Sequence, residues 1–216
     1  MSNYENILFD FDGTVCDTSE GVFKGFDYVV DYYKLNIDKS IYKKMMGPPL
    51  RESFVNCLHL PESEIKNAIA KHREYYNAGG MYELEIYDGV VDLIKNLKQA
   101  GKKVYIATSK PEHYTVKILE KIGLKDLFDF VGGSDISESN RVEKIDVLKY
   151  VMKENNLTSE NSIMIGDRFY DVRGAHSVGL KCIGILWGFG DLQEMQECGA
   201  DYIKATPKDV EEFLLK

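Results

Sequence analysis

The chain has 216 residues, 44% of them apolar, with a net charge of −8, which suits one ordinary domain or a core carrying an inserted subdomain. That charge excludes the cationic footprint that nucleic-acid polymers and anionic membranes demand, and leaves small soluble partners. Four scattered cysteines with no CxxC pair, no secretory leader in residues 1–5 and no run of membrane-spanning length set a reduced, cytoplasmic location as the expectation.

The first element is the apolar run Asn6-Ile7-Leu8-Phe9, which continues into Asp10-Phe11-Asp12-Gly13-Thr14. It reads as a strand buried on both faces, with Gly13 allowing a sharp exit and two carboxylates at its carboxyl end. From Val22 to Tyr33, apolar residues recur at helical spacing behind the capping candidates Asp17, Thr18 and Ser19. Further helical pieces follow around Ile41 to Met46, from Leu50 to Leu58, and from Pro61 to a stop at Gly79-Gly80, so this block is a helical insertion. From residue 87 onward, strands and helices alternate, which predicts βαβ units and a parallel sheet. Helices are predicted over Val90–Gln99, from Pro111 to Ile122, over Glu143–Asn155 and from Pro207. Strands are predicted over Lys103–Ala107, Phe128–Val131, Ser162–Ile165 and Lys181–Leu186, with a short last one at Tyr202-Ile203. The loop Gly166 to Asp171 follows the third of these. The fold class is therefore α/β: a doubly wound, mainly parallel, Rossmann-like core with an α-helical subdomain inserted after the first strand.

Polar groups collect at the carboxyl ends of three strands: Asp10 and Asp12, then Thr108 and Ser109, then Asp167 and Asp171. In an open parallel sheet that edge is where ligands bind, and two carboxylates on alternate residues can act as nucleophile and general acid/base. Carboxylates gathered there ionise only if a cation offsets them, and all-oxygen ligands point to a hard ion, Mg²⁺. The hydroxyls and backbone donors at Thr108 and Ser109 suit the equatorial oxygens of a phosphoryl group, and a lysine is still wanted for its remaining charge.

In the order of these motifs the chain resembles the haloacid dehalogenase superfamily of phosphotransferases, nearest its phosphoglycolate-phosphatase-like branch, over essentially its whole length. Asp10-Phe11-Asp12-Gly13-Thr14 matches the first motif, which implies Asp10 as nucleophile and Asp12 as acid/base. Thr108 matches the second as phosphate ligand, with Ser109 beside it, Lys144 the third, and Gly166-Asp167 with Asp171 the fourth. The resemblance implies a Mg²⁺ ion held by Asp10, the Asp12 backbone carbonyl, Asp167 and Asp171. It also implies a core of residues 1–14 and 84–216 and a helical cap of 15–83. Lys144 is followed by Ile145 rather than the family's frequent proline, which leaves Arg141 as its competitor for the phosphate.

The implied activity is hydrolysis of small-metabolite phosphate monoesters through an aspartyl phosphate, by a monomer or homodimer. Phosphoglycolate, a nucleoside monophosphate, pyrophosphate and a sugar phosphate all stand as substrates. A β-phosphoglucomutase-like mutase shares the core motifs, and a non-turnover phosphoacceptor domain is the alternative from another class. Arg51, in Gly47-Pro48-Pro49-Leu50-Arg51-Glu52, is the cap residue suited to a substrate anion, against a solvated surface role. The four histidines lack metal-ligand spacing and read as packing or surface. Trp187-Gly188-Phe189-Gly190 reads as a glycine-rich turn with a packed aromatic.

Overall fold

The computed structural model describes residues 4–136 and 141–216. Its chain divides into two compact units, Met1–Asp17 with Ile86–Lys216, and Thr18–Glu85.

In the first unit β1 (Asn6–Phe9) is the centre of a six-stranded sheet, and every one of its residues is buried. After it come β2 (Cys16–Asp17), where the chain leaves for the second unit, and β3 (Glu85–Ile86), where it returns. The chain then runs through α4 (Val90–Gln99), β4 (Lys103–Pro111), α5 (Glu112–Lys121), β5 (Phe130–Ser134) and α6 (Lys144–Glu154). It continues through β6 (Ser162–Gly166), α7 (Phe169–Ser177), β7 (Lys181–Ile185), α8 (Leu192–Glu197), β8 (Tyr202–Lys204) and α9 (Pro207–Leu215).

The sheet order is β5-β4-β1-β6-β7-β8 and each pairing is parallel, with Ile7 opposite Val104 on one side and Ile163 on the other. The order grows outward from β1 in both directions. The carboxyl ends of β1, β4 and β6 therefore share one crevice, the place where open α/β sheets bind ligands. On one face Leu8, Tyr105 and Met164 of the strands pack against Val147, Leu148 and Val172 of α6 and α7.

The second unit is helical: α1 (Ser19–Tyr33), a 3-10 turn (Lys39–Met45), α2 (Leu50–Asn56) and α3 (Glu62–Asn77). Phe26, Val29, Tyr42, Phe54, Ile65 and Ala68 form its own core. Among the described residues no helix is long and apolar enough to cross a membrane.

Among the elements that differ from their sequence expectation, three bear on the sheet edge and its packing. Gly132-Gly133 lie inside β5 rather than after it, because a Cβ on Gly132 would strike Val151 of α6 and one on Gly133 would strike the backbone of Lys110 and Glu112. The glycines are there for close approach. β4 runs on to Pro111, with residues 109 and 110 bulged between the pairs Thr108–Gly133 and Pro111–Ser134. Helix α7 begins inside what reads as a loop, and with Gly174 in it the α7 backbone approaches the Lys144 stem so closely that a Cβ would stand 2.6 Å from Lys144 Cγ.

Candidate active site

Each polar group at the crevice is aimed by a local device. The Asp10 amide donates to Ile165 O at 2.9 Å, which extends the sheet pairing one residue past β1 and holds the carboxylate at the sheet edge. Asp167 follows β6 directly and accepts from Phe189 N–H at 2.8 Å, with the Thr14 hydroxyl 3.5 Å away. Asp171 stands at the third position of α7, where its Oδ2 accepts the Arg168 N–H at 3.1 Å in a capping box, leaving Oδ1 to face inward. Lys144 is the first residue of α6, so its stem starts at the helix end beside the crevice.

The side chains then meet. Lys144 Nζ lies 2.7 Å from Asp10 Oδ1 and 2.8 Å from Asp171 Oδ1, and donates to Ala107 O at 2.9 Å. Asp10, Asp167 and Asp171 are all buried, and each offers an oxygen within 4.8 Å of the others. Burial pushes the Asp10 carboxyl up to about 6, against the pull of the Lys144 ammonium. Burial, then Asp171 and Asp10, hold the Asp167 carboxyl well above the ordinary carboxylate range. Burial opposes the charge on Lys144 as well, but the two aspartates outweigh it and raise its pKa. Three buried carboxylates against one ammonium leave negative charge that an oxygen-liganded divalent ion fits, and this donor set is the site's own argument for a metal.

Thr108 is buried in β4 at the last pair before the bulge, where its hydroxyl accepts from Lys110 N–H at 3.2 Å, and Ser109 is half-buried in the bulge. Arg141 is engaged elsewhere: it donates to Gly133 O at 3.1 Å, pairs with Glu112 at 3.2 Å and lies over the Tyr150 ring. Of the two competing cations, Lys144 is the one beside Asp10. Arg51 belongs to the helical unit, exposed and ion-paired with Glu62.

Two contributors escape the sequence reading. The Trp187-to-Gly190 turn does more than pack an aromatic: its Phe189 N–H binds Asp167, and Trp187 Nε1–H donates to Thr14 O at 3.0 Å. Lys110 reaches both oxygens of Asp12, at 3.0 and 3.1 Å. No local signal marked it: residues 109 and 110 are bulged out of the β4–β5 register, and the bulge, which the sequence does not show, is what turns Lys110 toward Asp12.

Gly13 carries φ of +82°, and a Cβ there would strike the Asp167 carboxylate and the Phe189 ring. Gly13→Ala is expected to lower stability by about 1–3 kcal/mol through both effects, and to lower activity by displacing Asp167. Thermal unfolding and turnover measure it. An alanine variant equal to the parent in both would contradict the geometry.

Comparison with known proteins agrees with this architecture. A solved structure described as a predicted phosphatase from Clostridium acetobutylicum superposes with a TM-score of 0.94 at 38% identity, over 98% of each chain. The sequence is 32% identical over 196 residues to a 5′-nucleotidase of Pseudomonas aeruginosa, covering 89% of this chain and 87% of that one. It is 30% identical over 205 residues to the tyrosine-protein kinase PtkA of Mycobacterium tuberculosis, covering 94% of this chain and 67% of that one. Residues 7–185 match the family described as haloacid dehalogenase-like hydrolase, and the chain belongs to that family.

Proposed function

We propose that the protein is a Mg²⁺-dependent phosphatase of small-metabolite phosphate monoesters, acting by double displacement. The observation that carries this reading is the pairing of Lys144 with Asp10 Oδ1 at 2.7 Å, in a site where Asp10, Asp167 and Asp171 converge. In this reading Asp10 attacks phosphorus in line, the ester P–O bond breaks, and Asp12 passes its proton to the leaving oxygen. Asp12 then takes a proton from water, whose oxygen attacks the aspartyl phosphate, and Asp10 and inorganic phosphate are released. Lys144, Thr108 and Ser109 bind the phosphoryl oxygens. Asp10, Asp167, Asp171 and the Asp12 carbonyl would hold the ion, which supplies charge neutralisation along the reaction coordinate.

A phosphoglycolate-like acid is the first substrate class to test, followed by nucleoside monophosphates, pyrophosphate and sugar phosphates. Relatives at 30–32% identity carry names as different as nucleotidase and tyrosine kinase, so likeness in the core does not choose among them. Phosphate release from a panel of these compounds with Mg²⁺ is the experiment. One class should stand about tenfold or more above the rest in kcat/KM, and absence of release from every compound would overturn the proposal.

Residues 15–83 are proposed as the part that selects the substrate. If Arg51 contributes, Arg51→Ala lowers kcat/KM for an acidic ester by about 10-fold, the loss expected when a charged partner is removed, and leaves p-nitrophenyl phosphate within about threefold. Equal effects on both esters would return Arg51 to its surface pairing with Glu62.

A further inference from the structure

Among the described residues, Lys110 is the one strongly buried cation of this edge that the reading above leaves unused. Its side chain is 6% exposed, and its ammonium holds both oxygens of Asp12, whose own side chain is 21% exposed. A lysine buried to that degree loses hydration and side-chain freedom, which a surface ion pair would not offset. The chain also departs from a regular strand to put it there. Residues 109 and 110 are bulged out of the β4–β5 register, the Lys110 amide is tied to the Thr108 hydroxyl at 3.2 Å, and Gly133 clears space against the Lys110 carbonyl.

Charge tells the same story. Asp10, Asp12, Asp167 and Asp171 face two ammoniums, Lys144 and Lys110, so one divalent ion brings the set to neutrality before a phosphate arrives. Lys144 is spent on Asp10 and Asp171. Asp12 has Lys110.

We propose that Lys110 is a positioning residue for leaving-group departure, fixing the Asp12 carboxyl toward the ester oxygen by gripping it across the crevice. The proposal rests on the role given to Asp12 above. A carboxylate with both oxygens on one ammonium does not rotate freely about its Cβ–Cγ bond. When one oxygen carries the proton, the other still accepts from Lys110, so the group keeps its direction as the proton leaves. The carboxylate formed at that moment already has a cation beside it, an interaction stronger after transfer than before, which is the kind that speeds a step.

Such a role shows in leaving-group dependence. Nitrophenolate departs without a proton, whereas phenolate departs poorly without one. With the Mg²⁺-loaded chain, Lys110→Met is expected to lower kcat/KM about 30-fold or more for phenyl phosphate, within the ~10²–10⁴-fold scale of general acid catalysis, and less than about threefold for p-nitrophenyl phosphate. Lys110→Arg, which keeps a donor and a charge, should recover part of the loss. In an Asp12→Asn background, Lys110→Met should add nothing for phenyl phosphate, because the two act as one unit. Should the Met variant fail to fold, Lys110→Gln can still donate to one Asp12 oxygen and should show a smaller loss confined to phenyl phosphate. Equal losses on both esters, or a loss that multiplies with that of Asp12→Asn, would overturn the proposal and put Lys110 on the phosphoryl group instead. If Asp12→Asn separates the two esters and the Lys110 variants do not, the Lys110 proposal alone falls. If Asp12→Asn itself fails to separate them, the role of Asp12 falls and this proposal with it.

Discussion

Asp10→Asn is expected to release no nitrophenol from p-nitrophenyl phosphate, while Asp12→Asn releases a burst and then stalls. The two aspartates stand two residues apart on one strand end, yet their surroundings differ. Asp10 is buried, anchored through its amide to Ile165 O, with Oδ1 on Lys144. Asp12 is more open and faces Lys110. On the roles proposed above, an amide at residue 10 removes the attacking oxygen and one at residue 12 the proton donor and base, and loss of a nucleophile is worth on the order of 10⁵–10⁶-fold in turnover. Loss of the donor and base is worth only about 10²–10⁴-fold, and nitrophenolate scarcely needs the donor. The first half-reaction therefore runs and the second does not, so a phosphoryl adduct accumulates on Asp10. Rapid quench with mass mapping of the adduct decides it. A burst from Asp10→Asn, or an adduct on any other residue, would reverse the assignment.

The second large effect is on the metal. Chelation should abolish phosphate release, and Asp167→Asn should raise the Mg²⁺ concentration needed for half-maximal activity by about 10–100-fold or more, since outer partners of metal ligands alone carry that much. Stability gives an independent reading. Burial raises the folded-state pKa of Asp10 from the ordinary 3.8 to about 6, and that of Asp167 in the same direction. For a carboxyl raised on folding, the stabilising contribution is complete below the unfolded value and is lost as pH rises through the folded one. The metal-free chain should thus lose stability from these groups between about pH 4 and pH 6 and above. Mg²⁺, which binds only the ionised carboxylates, should restore it over the same range. The rise in Tm caused by Mg²⁺ is expected to grow from pH 4 to pH 7. Metal-free Asp167→Asn, with one buried charge fewer, should melt above the metal-free parent and respond little to Mg²⁺. Activity undiminished by chelator, or a Mg²⁺-induced Tm shift that is the same at every pH, would contradict the metal assignment.

Much of this architecture is legible in the chain itself. The all-apolar run before Asp10, the helical periodicity from Val22 onward and the strand–helix alternation after residue 87 are local patterns, because side-chain direction repeats every two residues in a strand and about every 3.6 in a helix. They define a parallel α/β core with a helical insertion, and they put Asp10, Thr108 and Asp167 at strand ends. The short helices α7 and α8 are not legible in the same way. α7 carries Gly174 where its neighbour's lysine stem passes, and α8 has only six residues, too few for a periodic signal.

What the sequence alone determined is therefore the type and order of the elements and the chemistry carried at their ends. Which groups touch was decided by the fold. Lys144 reaches Asp10 across 134 residues, Lys110 reaches Asp12 across 98, and Phe189 N–H reaches Asp167 across 22. Nothing local distinguishes Lys144 from Arg141, or a turn that packs from one that binds a carboxylate. The physical reason is that propensity and periodicity act over a few residues, whereas a buried ion pair depends on where two separate backbones bring its partners. A bulge in β4 and the close passage of α7 beside α6 set those positions, and both follow from packing that only the assembled sheet imposes.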